Sequence, residues 1–104
     1  MRPNFLFIVA DDLNAWIGAL GRHPQVQTPN IDGLARRGVL FERAYCSAPY
    51  CNASRMGFFT GQLPASNGIF KNEPFWDQPN RAPTLLELLR AAGYHTMGAG
   101  KVFH

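Results

Sequence analysis

The sequence has few cysteines, few lysines and no long apolar run, and each shortage argues against a class of protein. Two cysteines in 104 residues, Cys46 and Cys51, are too few for a disulfide framework. Only two of the ten basic residues are lysines, and no basic run marks a nucleic-acid-binding arm, although the formal net charge is +3. The apolar run at positions 5–10 is too short to span a membrane and lacks the cleavage site of a signal peptide. We therefore expect no nucleic-acid or membrane partner, and the cytoplasm and the periplasm are both compatible with the sequence.

The composition that is present is that of a globular protein. Hydrophobic residues make up 46% of the chain and charged residues 16%, a balance that argues against disorder. The length is that of one ordinary domain or of one piece of a larger domain.

Strand signals occur at three places, at positions 5–10, 39–45 and 94–99. The first is apolar throughout, which is typical of a strand covered on both faces. Helix signals lie between them, as caps, apolar stripes and glycine stops. The predicted helices begin at Thr28-Pro29, at Ser54 and at Thr84. This alternation predicts an α/β fold with a mostly parallel sheet flanked by helices.

The stretch Gly61–Pro83 carries four prolines and is predicted to be a long irregular loop, which in a compact domain is often functional. Together with Tyr94 and Phe103 it is a candidate for shaping a saccharide pocket. Surface aromatics are nevertheless common in proteins, so this feature alone identifies no ligand.

Reactive side chains lie where predicted elements begin or end. Ligands of open α/β sheets bind beyond the carboxyl ends of the strands, so residues that follow strands are expected to converge on one site. Cys51, in the turn before the second helix, is expected to join them. The residues after strand ends are Asp11, Asp12, Lys101 and His104.

Each of these features has a functional interpretation and an ordinary one. The adjacent carboxylates of Asp11 and Asp12 suit a hard cation such as Ca²⁺ or Mg²⁺, although alone they more commonly form a solvated turn. Cys51 at a helix N-terminus, one turn from Arg55, would stabilise an anionic or polarised group. A buried structural cysteine is the default for a free thiol.

The glycine-rich segment Gly93–His104 offers two basic side chains. Lys101 supplies a compact cation for an oxyanion, and His104 supplies a hydrogen-bond donor or a proton. The ordinary alternative is a glycine-rich turn with two exposed basic residues, and this segment alone does not decide between them.

Taken together, these motifs resemble the N-terminal part of the sulfatase family, in the alkaline-phosphatase-like superfamily. The resemblance covers essentially the whole chain, and the Gly-Lys-Val-Phe-His ending looks most like the iduronate-2-sulfatase branch. It implies that residues 1–104 are an N-terminal fragment of a sulfatase catalytic domain, with an incomplete metal site and no turnover of its own. Ala53 departs from the family, which most often has proline there. The motifs are the Phe-Ile-Val-Ala-Asp-Asp strand end, Thr28–Asp32, Cys51–Gly61 and Gly93–His104.

The resemblance also implies a reaction, the hydrolysis of sulfate esters of a saccharide or another small molecule. A formylglycine-generating enzyme would convert Cys51 to formylglycine, whose hydrate attacks sulfur and later expels sulfate as the aldehyde re-forms. Asp11 and Asp12 would bind a divalent metal, usually Ca²⁺ in this family, which also contacts residue 51. The remaining catalytic residues would orient the hydrate and hold the sulfate: Arg55, Lys101 and His104.

Three alternatives stay open at this point. The chain could belong to a phosphonate or phosphate ester hydrolase of the same superfamily. It could be a small zinc-binding scaffold that uses Cys46, Cys51 and a histidine, although the Cys-x4-Cys spacing is loose for zinc. It could also be an inactive binding module that keeps the sulfatase surface.

Overall fold

The computed structural model describes residues 2–78 and 81–103. The chain divides into two compact units, Met1–Ala44 and Tyr45–His104. The regular structure is helical, and no helix in the described ranges is both long and apolar enough to cross a membrane. The elements are a short 3-10 helix, Gly18–Leu20, and the α-helices α1 (Pro29–Arg37), α2 (Cys51–Thr60), α3 (Pro64–Asn67) and α4 (Leu85–Ala91).

The predicted α/β fold with its mostly parallel, alkaline-phosphatase-like sheet is wrong, because no described residue lies in a β-strand. The segments at 5–10, 39–45 and 94–99 all lack strand structure. The first is also far from buried, since Leu6 is 87% exposed and Ile8 78%. A strand needs a neighbouring strand to receive its backbone hydrogen bonds as well as an apolar composition. The apolar pattern predicts burial but does not supply that neighbour.

Helix α1 begins and ends where the sequence predicts, with Thr28 before it, Pro29 at its first position and Gly38 after it. The Thr28 hydroxyl accepts a hydrogen bond from the Gly18 N–H (2.7 Å) and donates one to the Asp32 carboxylate (2.8 Å). A Cβ atom at Gly18 would collide with that carboxylate. A glycine is therefore needed where the 3-10 helix meets α1.

The core of the Tyr45–His104 unit lies against one face of α2. This face supplies Ala53, Met56 and Phe59, and the segment after the helix adds Ile69 and Phe75. The predicted loop Gly61–Pro83 is irregular apart from α3, and it contributes to this core instead of only covering it.

Helix α4 has the two ends that the sequence predicts. The Thr84 hydroxyl accepts from the Glu87 N–H (3.3 Å), and the Glu87 carboxylate accepts from the Thr84 N–H (2.8 Å), which is the predicted capping box. At the other end Gly93 has a φ of 84°, and the Tyr94 N–H donates to the Leu89 carbonyl (3.0 Å). This turn needs the positive φ of Gly93, and it provides a hydrogen-bond donor for a carbonyl in the last turn of the helix.

Candidate functional site

Cys51 is the first residue of α2, which begins there and not at Ser54 as the sequence predicts. The Ser54 N–H donates to the Tyr50 carbonyl (2.9 Å). The N–H groups of residues 51–53 therefore lie at the end of the helix that carries partial positive charge. The Cys51 thiol is free and half-buried. This position favours a negatively charged or strongly polarised group on residue 51.

Arg55 lies one helical turn after Cys51 and is only 5% exposed. Its Nη1 donates a hydrogen bond to the backbone carbonyl of Lys101 (2.8 Å), 46 residues away in the sequence. This contact ties the glycine-rich segment to α2, while the Lys101 side chain stays exposed. Arg55, on the helix that begins with Cys51, is therefore in contact with the backbone of Lys101. His104 lies outside the described residues.

Asn52 holds a second segment against the start of α2. Its backbone N–H donates to Asn72 Oδ1 (3.2 Å), and its side-chain Nδ2 donates to the carbonyl of Glu73. Asn52 is 1% exposed, and its Oδ1 has no hydrogen-bond partner within the described part of the chain. No sequence pattern predicts this role for Asn52, because an asparagine in a turn-rich segment carries no local signal of burial.

Aromatic rings connect the predicted loop to the end of the chain. Phe103 packs against Phe59 and Trp76, with ring centroids 5.1 and 5.0 Å apart. Arg81 places its guanidinium carbon 4.6 Å from the centroid of Trp76 and 5.2 Å from that of Phe75. Phe103 was a candidate for shaping a pocket, whereas Trp76 gave no separate signal because it lies in a proline-rich stretch.

The same arginine is held by an ion pair. Arg81 makes two hydrogen bonds with the Glu87 carboxylate, at 2.8 and 2.9 Å. These bonds, together with the backbone N–H of Thr84, lower the pKa of Glu87 from 4.5 to about 2. The end of the loop is thereby fixed to the first turn of α4.

Asp11 and Asp12 belong to the Met1–Ala44 unit, whereas Cys51, Arg55 and Lys101 belong to the other unit. Both carboxylates are exposed, and Asp12 has a φ of 53°, a left-handed conformation that aspartate tolerates. Their convergence with Cys51 stays a prediction.

The carboxylates of Asp11 and Asp12 are the type of ligand that a hard cation prefers, but two residues are too few to complete its coordination. Ca²⁺ takes six to eight oxygen ligands, and the described ranges contain no group of three or more His, Cys, Asp or Glu residues that would hold a metal ion. The same finding leaves the zinc interpretation, with Cys46 and Cys51, without a third ligand among the described residues. Asp11 and Asp12 could therefore supply only some of the ligands of a metal site.

Comparison with known proteins identifies the family. The sulfatase family profile matches residues 3–104. A sulfatase of Formosa agariphila is 42% identical over 99% of this chain and 22% of its own length. Iduronate 2-sulfatase of Mus musculus is 36% identical over 97% of this chain and 18% of its own, and choline-sulfatase of Rhizobium meliloti is 35% identical over 97% and 19%.

The chain spans 18% to 22% of the length of these curated relatives. No solved structure matches it at a significant level. Because the family profile covers residues 3–104 and the relatives align with nearly the whole chain, the chain belongs to the sulfatase family.

Proposed function

We propose that this chain supplies the nucleophile-bearing part of an enzyme that hydrolyses sulfate esters, with a sulfated saccharide or another sulfated small molecule as substrate. One observation carries the proposal: Cys51 is the first residue of α2, and one turn later the buried Arg55 is bonded to the segment that carries Lys101. A helix end that stabilises negative charge, together with two cations, suits the anionic transition state of sulfate transfer.

Cys51 is the proposed precursor of formylglycine, with a formylglycine-generating enzyme as partner. The hydrated aldehyde supplies both a hydroxyl nucleophile and a route for releasing sulfate afterwards. Around it, the N–H groups at the start of α2 stabilise negative charge, and the buried Arg55 guanidinium is kept in place by the Lys101 carbonyl.

Lys101 and His104 are proposed to act on the sulfate group itself. Lys101, whose side chain is exposed, would contact the sulfate oxygens through its ammonium, and His104 would donate a hydrogen bond to them or pass a proton. Asp11 and Asp12 are proposed to give two of the oxygen ligands of a divalent metal, most often Ca²⁺. Such an ion, when bound, would offset the negative charge of the sulfate.

The experiment that tests this proposal compares two cysteine variants of the full-length protein on p-nitrophenyl sulfate. Cys51→Ala removes the nucleophile, so we expect kcat/KM to fall by about 10⁴-fold or more. Cys46→Ala is the matched control, because Cys46 is exposed and lies outside α2, and it should hydrolyse the ester at the parent rate.

Two results would contradict the proposal. Equal activity of the parent and Cys51→Ala would show that another residue attacks sulfur. Faster hydrolysis of bis-p-nitrophenyl phosphate than of the sulfate, with the same dependence on Cys51, would favour the phosphate ester alternative.

A further inference from the structure

Trp76 is an exposed ring that is held in a fixed position. It packs edge-on against Phe75 and Phe103, at centroid distances of 5.1 and 5.0 Å and interplanar angles of 70° and 62°. Arg81 lies 4.6 Å from its centroid and is itself bonded to Glu87. Trp76 is nevertheless 51% exposed. An indole with three packing partners and half of its surface in water offers a rigid aromatic surface to a ligand, because little side-chain entropy is lost when the ligand binds.

This ring is tied to both segments of the proposed site. Phe103, which packs against it, lies two residues after Lys101, whose carbonyl accepts the hydrogen bond from Arg55. On the other side, Asn72 lies four residues before Trp76 and bonds to the N–H of Asn52, the residue after Cys51. Four residues span at most about 14 Å. Trp76 is therefore joined through one short segment to the residue that follows Cys51.

The charge beside the ring restricts what can bind there. A guanidinium already interacts with the indole of Trp76, so a second cation over the same ring would meet a like charge. A neutral or anionic group has no such penalty. A sugar ring presents carbon-bound hydrogens on its faces and hydroxyls at its rim, so it matches a half-exposed indole that also contacts a charged, hydrogen-bonding side chain.

We propose that Trp76, positioned by Phe103 and Arg81, is the surface on which the sugar ring of the substrate stacks. This inference rests on the proposed function and narrows its substrate to sulfate esters carried by a sugar ring that bears no positive charge.

Two esters with the sulfate on the same carbon test the inference in the full-length protein: glucose 6-sulfate, which has a closed ring, and its reduced open-chain counterpart, sorbitol 6-sulfate. We expect Trp76→Ala to lower kcat/KM for glucose 6-sulfate by about tenfold, mostly through KM. The open-chain ester should be hydrolysed at the parent rate. Trp76→Phe keeps an aromatic surface and should restore most of the lost activity. A loss of the same size on both esters, or no loss on either, would overturn the inference.

A calorimetric titration of the full-length protein tests the same contact without turnover. Cys51→Ala is present in both proteins to prevent hydrolysis. Glucose 6-sulfate should then bind about tenfold more weakly when Trp76→Ala is also present, whereas sorbitol 6-sulfate should bind both proteins equally. Equal affinity of the two proteins for glucose 6-sulfate would overturn the inference. If the parent hydrolyses neither ester although Trp76→Ala weakens the binding of glucose 6-sulfate alone, the proposed function fails and the sugar contact stands.

Discussion

At the scale of single residues, Arg55 has two roles: it holds two segments together and it places a positive charge one turn after Cys51. It is buried on the helix that begins with Cys51, and it is the residue through which α2 contacts the backbone of the glycine-rich segment. A buried charge needs hydrogen-bond partners, because its desolvation is otherwise costly. The Lys101 carbonyl is one such partner, so the placement of this segment and the charge beside residue 51 depend on the same side chain.

Replacing Arg55 should therefore affect stability as well as activity. Arg55→Ala removes the charged hydrogen bond to the Lys101 carbonyl, and we expect the free energy of unfolding to fall by about 1.5–3 kcal/mol. Urea unfolding followed by circular dichroism measures this change. Arg43→Ala is the matched control because Arg43 is exposed, and it should change stability by less than about 0.5 kcal/mol. Equal stability of the two variants would show that the buried contact contributes nothing to the fold.

The sequence predicts some site residues better than others, for physical reasons. Cys51 and Arg55 share one helix, so their mutual placement follows from local spacing alone. The contact with the Lys101 carbonyl joins residues 46 positions apart, and no local pattern encodes it. Asn52 and Trp76 were missed for the same reason, since the burial of an asparagine and the fixed exposure of a tryptophan depend on distant partners.

At the scale of elements, the ends of α1 and α4 were predicted correctly, the start of α2 was predicted three residues too late, and the strands were wrong. The capping box of Thr84 and Glu87 and the turn at Gly93 are formed by neighbours in sequence, so short motifs define both ends of α4. A strand is completed only by another strand. The apolar segments at 5–10 and 39–45 carry the composition of strands, but the described residues provide no pairing for them.

The capping carboxylate makes α4 sensitive to acid. The pKa of Glu87 is lowered from 4.5 to about 2, mainly by its hydrogen bonds with Arg81 and then by the Thr84 N–H. Because the folded state binds this proton less readily than the unfolded chain, the stabilisation is complete above pH 4.5 and is lost as the pH falls towards about 2. Thermal unfolding across this range should show the loss.

Glu87→Gln is the variant that isolates this effect. It cannot ionise, so its stability should change less between pH 4.5 and about 2 than that of the parent chain. The pKa of Glu73 is also lowered, by hydrogen bonds from its own backbone N–H and from that of Lys71. Because Glu73 is present in both proteins, it affects the two pH profiles of stability equally. Identical pH profiles for parent and variant would contradict the proposed role of Glu87.

At the scale of the whole molecule, the two units differ in how much of their apolar surface they bury. All the fully buried apolar side chains in the described ranges belong to Tyr45–His104. The Met1–Ala44 unit leaves large apolar side chains exposed, such as Leu6 and Phe41. Apolar surface of this extent marks a region that binds another surface or aggregates. The proposed metal ligands Asp11 and Asp12 lie in this unit, and the proposed nucleophile lies in the other.

Whether Cys51 is converted to the nucleophile is decided by the mass of the peptide that contains it, cut from the full-length protein. The protein is produced together with a formylglycine-generating enzyme, and the peptides that contain Cys46 and Cys51 are measured separately. Conversion of a thiol to an aldehyde lowers the mass by about eighteen units. We expect this loss at Cys51, with Ala53 in place, and an unmodified thiol at Cys46. An unmodified thiol at Cys51 in a folded protein that still hydrolyses sulfate esters would contradict it.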